Sequence, residues 1–215
     1  MQVKQFVFNH FQTNSYVIYT TDTKQCAIVD PCCHGLAETE ALTQWISQQQ
    51  LVPIMVLVTH PHVDHICGLR EVFKAYGLPV MLHPEGKHLL QQAGDYASVM
   101  GFNVDDLSDL PTIDLSDDQV LTLGNEKIEC RFVPGHCPGS MAFVLHEEKM
   151  VITGDTLFRG SIGRTDLPGG SLDALMQKLQ TRILTLDDAF MVLPGHGDLS
   201  TIGEEHLYND FLQDF

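Results

Sequence analysis

Four times along this chain an apolar run of strand length gives way at once to a histidine or an aspartate. Residues 54–58 lead into THPHVDHICG at 59–68; FVPGHCPGS then carries His136, VITGDTLF carries Asp155, and MVLPGHGDLS carries His196. A turn requires none of these groups. Imidazoles packed this closely repel one another when charged, and buried carboxylates lose hydration. A metal ion is the most economical compensation, since imidazole and carboxylate are ligands for zinc, iron and manganese alike.

The spacing within THPHVDHICG supports that reading. His60 and His62, two residues apart, project to the same side of an extended segment. Asp64 and His65 fall where the chain turns into a helix, so the four side chains divide into two pairs, one for each of two metal positions. Asp30, which ends an earlier strand in IVDP, is expected nearby. Glycines beside His136, Asp155 and His196 permit close approach to a site. Taken singly, His136 reads as an ordinary hydrogen-bonded surface residue and Asp155 as a helix cap or turn former. Recurrence at four strand ends turns these separate readings into one: five histidines and two aspartates gathered at an edge, enough for two metals with positions left for water.

The rest of the chain supplies the scaffold. Strands are expected at 3–8, 14–20, 25–30, 54–58 and 79–82, then at 119–123, 127–133, 141–145, 150–153 and 190–193, from short runs rich in Val, Ile, Phe and Tyr. Helical periodicity marks 36–49, 69–76 and 171–184, the last with Ser171 as N-cap. Thr201-Ile-Gly-Glu204 has the form of a capping box and opens a final helix. Each half therefore runs strands, helix, strand, and two mixed sheets packed face to face with helices outside accommodate that order in an α/β (α+β) fold. One domain over residues 1–215 is expected.

Composition excludes several classes of partner. Twelve Lys and Arg against 28 Asp and Glu give a formal charge of −16, which repels phosphate backbones and anionic lipid surfaces. Neither nucleic acid nor membrane is an expected partner. The acidic stretch 105–118 reads as an exposed connection and lacks the spacing of an EF-hand loop. The opening MQVKQFVFNH shows no secretory signal. A cytoplasmic protein is therefore expected, with its six cysteines reduced. Cys67 and Cys137, beside ligand-type residues, read as small core side chains rather than nucleophiles.

The order H-x-H-x-D-H, then His, then Asp, then His resembles the metallo-β-lactamase superfamily, over nearly the whole chain. That resemblance implies a four-layer αββα sandwich. It also implies a first metal site of His60, His62 and His136, a second of Asp64, His65 and His196, and a bridging carboxylate from Asp155. The segment GDTLFRGSIGRTDLPGG at 154–170 is similar to the glyoxalase II group, the hydroxyacylglutathione hydrolases, and above all to its small members. A full glyoxalase II has a further C-terminal helical region that contacts glutathione; the sequence as read stops at Phe215 without it. The implied activity is hydrolysis of a small thioester such as S-lactoylglutathione by two divalent ions, zinc first and iron or manganese next, with Asp64 as the catalytic carboxylate. A homodimer is the expected assembly. Persulfide dioxygenases share the pattern, including a similar G-x-G-R-T-D stretch, and would use one iron on His60, His136 and Asp155. Arg164 in that stretch is expected to pair with Asp166 or with the surroundings of Asp155 and hold the loop, rather than to face an anionic substrate.

Overall fold

A computed structural model describes residues 1–213. The fold follows from how the buried strands divide their alternate residues. Along β2 (Thr13–Tyr19), Tyr16 and Ile18 enter one apolar cluster and Val17 another; along β3 (Gln25–Val29), Ala27 and Val29 separate from Cys26 and Ile28 in the same way. In the second half of the chain, β9 (Met141–Leu145) sends Met141, Phe143 and Leu145 one way and Ala142 and Val144 the other. Successive strand residues point to opposite faces, so a strand apolar at every position must be covered twice. The covering of both faces creates four layers.

The first sheet has the order β1-β2-β3-β4-β5-β6, with β1 at Gln2–Phe8, β4 at Val52–Leu57, β5 at Val80–Leu82 and β6 at Thr112–Asp114. Its outer face buries Val17, Ile28 and Val56 against Leu42 and Ile46 of α1 (Gly35–Gln48) and Leu69 and Val72 of α3 (Leu69–Tyr76), which follows the short helix α2 (Val63–Ile66). Two short helices, α4 (Lys87–Gln91) and α5 (Ala93–Ala97), complete that layer. The second sheet has the order β14-β13-β10-β9-β8-β7, with β7 at Val120–Leu123, β8 at Glu126–Phe132, β10 at Met150–Gly154, β13 at Met191–Pro194 and β14 at Ser200–Thr201. Its outer face packs on α6 (Leu172–Lys178), which continues as a π-helical turn over Leu179–Ile183, and on α7 (Ile202–Tyr208). The αββα sandwich of two mixed sheets is thus present.

Several details depart from the expected elements. The acidic stretch 105–118 is not merely an exposed connection: Leu107, Leu110 and Leu115 are buried, and β6 pairs parallel with β5 as the sheet's edge strand. The helix expected at 171–184 changes its hydrogen-bond pattern after Lys178. A small hairpin of β11 (Leu157–Phe158) and β12 (Ser161–Ile162), absent from the sequence reading, lies inside the GDTLFRGSIGRTD segment. Both helix caps are as expected: Ser171 Oγ accepts from the Ala174 N–H, and Thr201 and Glu204 form a reciprocal capping box.

Strand direction places the functional edge. β3 and β4 are parallel, as are β10 and β13, and β8 runs with β10 because each is antiparallel to β9. The C-terminal ends of five strands therefore emerge together. The two sheets are tied at this edge by hydrogen bonds from Asn14 N–H to the Gly195 carbonyl (2.7 Å), from Tyr16 O–H to the Pro194 carbonyl (2.7 Å) and from Met141 N–H to the Thr59 carbonyl (2.8 Å).

Candidate metal centre

All seven predicted ligand-type residues converge at that edge. His60 follows β4, Asp64 and His65 lie on α2, His136 follows β8, Asp155 follows β10 and His196 follows β13. Their donor atoms form three close groups: His60, His62 and His136; Asp64, His65 and His196; and His60, His65 and Asp155. The first two match the two sites expected from the sequence. The third joins them through Asp155, whose Oδ2 lies 3.9 Å from His60 Nε2, 3.7 Å from His136 Nε2 and 3.6 Å from His196 Nε2, with Oδ1 3.2 Å from His65 Nε2. One carboxylate faces both triplets.

The outward nitrogens fix the tautomers. His136 Nδ1 is 2.8 Å from the Arg164 carbonyl and His196 Nδ1 is 3.1 Å from the Phe11 carbonyl. A carbonyl only accepts, so both Nδ1 atoms carry a proton, and Nε2 is the nitrogen each ring turns inward as a ligand atom. At His60 the proton is set through Thr59. The Thr59 hydroxyl donates to Asp30 Oδ2 (2.6 Å), so its contact with His60 Nδ1 (3.0 Å) must use the imidazole proton. Asp30 Oδ2 also accepts from His65 Nδ1 (3.0 Å). Orienting groups of this kind are what metal-ligating imidazoles require.

The donor set fits divalent cations. His60 Nε2 and Asp155 Oδ1 are buried with no hydrogen-bond partner, an arrangement that costs roughly 1–3 kcal/mol per group unless something else satisfies it. His65 Nε2 and His196 Nε2 approach to 3.3 Å. Burial, aided by neighbouring imidazoles, drives the His60 pKa well below the ordinary value and that of His62 down to about 4, so both are neutral ligands at pH 7. Burial would raise the Asp64 and Asp155 carboxyls, but the surrounding histidines hold both below the usual carboxylate range. For His65, burial acts downward and is outweighed by Asp155, Asp64 and Asp30, which push the imidazole up. The centre is organised for positive charge.

Glycines admit this crowding. A Cβ on Gly163 would sit 1.9 Å from the Asp155 carbonyl oxygen, which accounts for glycine in GSIGRTD. A Cβ on Gly195 would meet Asp155 Oδ1 at 2.2 Å and His65 Cε1 at 2.6 Å. Gly195→Ala should therefore displace the carboxylate from His65, costing about 1–3 kcal/mol as overpacking does and lowering metal content. Thermal unfolding and metal analysis of the variant check this; a fully loaded protein with unchanged Tm would contradict the steric argument.

Other expectations resolve locally. Arg164 does form a two-point pair with Asp166 (2.8 and 2.7 Å), but the pair is exposed, and it is the Arg164 backbone carbonyl that orients His136. All six cysteines are free and buried; burial pushes the Cys137 thiol up to about 12 and raises that of Cys67 as well, so neither is a nucleophile. Two contributors were not foreseen. The Thr13 hydroxyl lies 3.3 Å from Asp64 Oδ2, and the Asn14 side chain donates to the Pro194 and Gly197 carbonyls on either side of His196. Their signal was available: TNS at 13–15 is a polar run opening an otherwise apolar strand, and all three residues are buried.

Comparison with known proteins agrees with this geometry. Residues 9–196 match the family model of the metallo-beta-lactamase superfamily. The chain is 34% identical to a probable metallo-hydrolase of Bacillus subtilis, over 100% of this chain and 99% of that one. It is 33% identical to the hydroxyacylglutathione hydrolase GloC of Haemophilus influenzae, over 99% and 98%. Among solved structures it is similar to the B3 metallo-beta-lactamase BLEG-1 (TM-score 0.89, 35% identity, 99% and 100% covered). It is also similar to a protein crystallised in a di-iron-bound form (TM-score 0.87, 33% identity, 97% and 100% covered).

Proposed function

Because this chain belongs to the metallo-beta-lactamase superfamily, a superfamily of metallo-hydrolases, we propose that it hydrolyses a small thioester, such as S-lactoylglutathione or a related acyl-thiol, at a two-metal centre. His60, His62 and His136 would hold one divalent ion and Asp64, His65 and His196 the other, with Asp155 available to both. Zinc suits this nitrogen and oxygen donor set, as do iron and manganese.

The observation that carries the reading is a cavity of about 490 Å³ that opens directly on His62, Asp64, His136, Asp155 and His196. Its size suits a small molecule, and it brings that molecule to the ligand residues rather than beside them. Paired divalent ions supply a water of lowered pKa and a Lewis acid for the carbonyl oxygen. The protein's own groups do the rest. Asp64, ionised at neutral pH and 3.2 Å from His196 Nε2, orients the attacking water and accepts its proton for delivery to the departing thiolate. The carbonyls of Phe11 and Arg164 and the carboxylate of Asp30 keep the imidazoles aligned throughout.

The relative named as a hydroxyacylglutathione hydrolase supports the choice of thioester. The donor set alone does not separate two ions from a single iron held by His60, His136 and Asp155; the substrate does. The test is thiol release from S-lactoylglutathione and from S-acyl glutathiones by zinc-reconstituted protein. Turnover in the ordinary enzymatic range of about 1–10³ s⁻¹ is expected. Thioesters left intact, with oxygen consumed on glutathione persulfide by the iron-loaded protein, would replace this reading with the dioxygenase.

A further inference from the structure

The cavity above the centre has two chemically different flanks. On the His136 side stands Arg164, the single Lys or Arg among the described residues that line the cavity, with Leu167 and Pro168 beside it. Phe11 stands on the His196 side, with Met100 reaching it through His10, and Ala93 and Tyr96 add further wall to the cavity. The Phe11 carbonyl fixes His196, the Phe11 ring stacks on Phe102 at 5.5 Å, and Phe102 follows directly on the loop that carries Met100. Tyr96, on α5, lines the cavity and is 55% exposed, and Phe11 is 41% exposed.

A peptide-like acyl group carrying carboxylates or an ammonium would find no charged or hydrogen-bonding partner along this second flank apart from the Tyr96 hydroxyl. An apolar group would remove the exposed faces of Phe11, Tyr96 and Met100 from water, at roughly 25 cal/mol per Å². An anionic thiol, by contrast, would meet Arg164 on the opposite side, in competition with Asp166.

Building on the thioester hydrolase reading, we infer that the substrate's acyl group is an apolar chain or ring lying against Phe11, Tyr96 and Met100, with the thiol carrier directed towards Arg164. Tyr96 and Met100 thereby become specificity-determining residues. Hydroxyl-bearing short acyl groups such as lactoyl are the poorer members of the substrate class.

The experiment is steady-state hydrolysis of S-acetyl-, S-butanoyl-, S-hexanoyl- and S-octanoylglutathione by the zinc-loaded chain, with the Tyr96→Glu and Met100→Glu variants alongside. In the unmodified protein kcat/KM should rise at least about tenfold from acetyl to octanoyl, a change of about 1.4 kcal/mol in transition-state stabilisation. Each substitution should flatten that gradient while the variant retains its metal content, measured separately. A flat or falling gradient with acetyl turned over would overturn this inference and leave the hydrolase reading intact. A gradient that both charged variants preserve would overturn the assignment to this flank. If no thioester of the series releases thiol while S-lactoylglutathione does, this inference alone falls; if S-lactoylglutathione is also left intact, both readings fall.

Discussion

Replacing Asp155 with alanine should empty the centre of metal and abolish hydrolysis together. This carboxylate faces four imidazoles within 3.9 Å, and no other described group stands between the two triplets. Its removal would leave the inner nitrogens of His60, His65, His136 and His196 facing the same space, with Asp64 as the remaining carboxylate and only on the His65 and His196 side. Outer-shell partners of metal ligands typically change metal affinity or activity by about 10–100-fold, and a residue that serves both triplets should exceed that range. Metal stoichiometry after dialysis and kcat/KM on a thioester are the two measurements. They should fall in step. A variant that keeps two equivalents of metal but loses activity would give Asp155 a chemical role without a binding one; a fully active, fully loaded variant would remove it from the centre.

Much of this centre is written in the sequence because its ligands are residue types with few reasons to end apolar strands. His60, His62, Asp64 and His65 sit in one short segment; Asp155 and His196 follow strands buried on both faces, and His136 follows one whose alternate residues Ile128 and Cys130 are buried. The sandwich was legible for a related reason: continuous apolar strands need two covering layers. What the sequence does not display is whatever depends on backbone. Phe11 and Arg164 orient ligands through their carbonyls, a group every residue carries, so neither side chain advertises the role. The same holds for α4 and α5, which form a cavity wall. Their residues, KHLLQ and AGDYA, are too short for a helical period to appear, and Gly94 interrupts the pattern. β6 escaped notice because it is a three-residue edge strand within an acidic stretch, held by pairing with β5 rather than by its own composition.

Asp30 should prove nearly as important as the ligands it never joins. Its backbone is held at a φ of +48°, a conformation uncommon for a residue other than glycine, and its side chain is buried. Oδ1 accepts from the Thr59 N–H at 2.7 Å, while Oδ2 accepts from the Thr59 hydroxyl and from His65 Nδ1. Through Thr59 it orients His60, and directly it orients His65, so one carboxylate reaches a ligand in each triplet. Asp30→Ala would leave an N–H, an O–H and an imidazole N–H unpaired in the interior. Breaking a buried charged pair costs about 3–5 kcal/mol, and metal affinity should drop by about 10–100-fold, the range for lost outer-shell partners. Asp30→Asn discriminates between packing and charge. It preserves the volume and one acceptor oxygen but places an NH₂ group where the second acceptor stood. The single remaining oxygen can accept from the Thr59 N–H or from His65 Nδ1–H, not both. Urea unfolding in excess chelator reads the structural loss, and metal titration of the folded variants reads the loss of orientation. The expected order in both is Asp, then Asn, then Ala. Equal metal affinity in all three proteins would mean that His60 and His65 are aligned by packing alone.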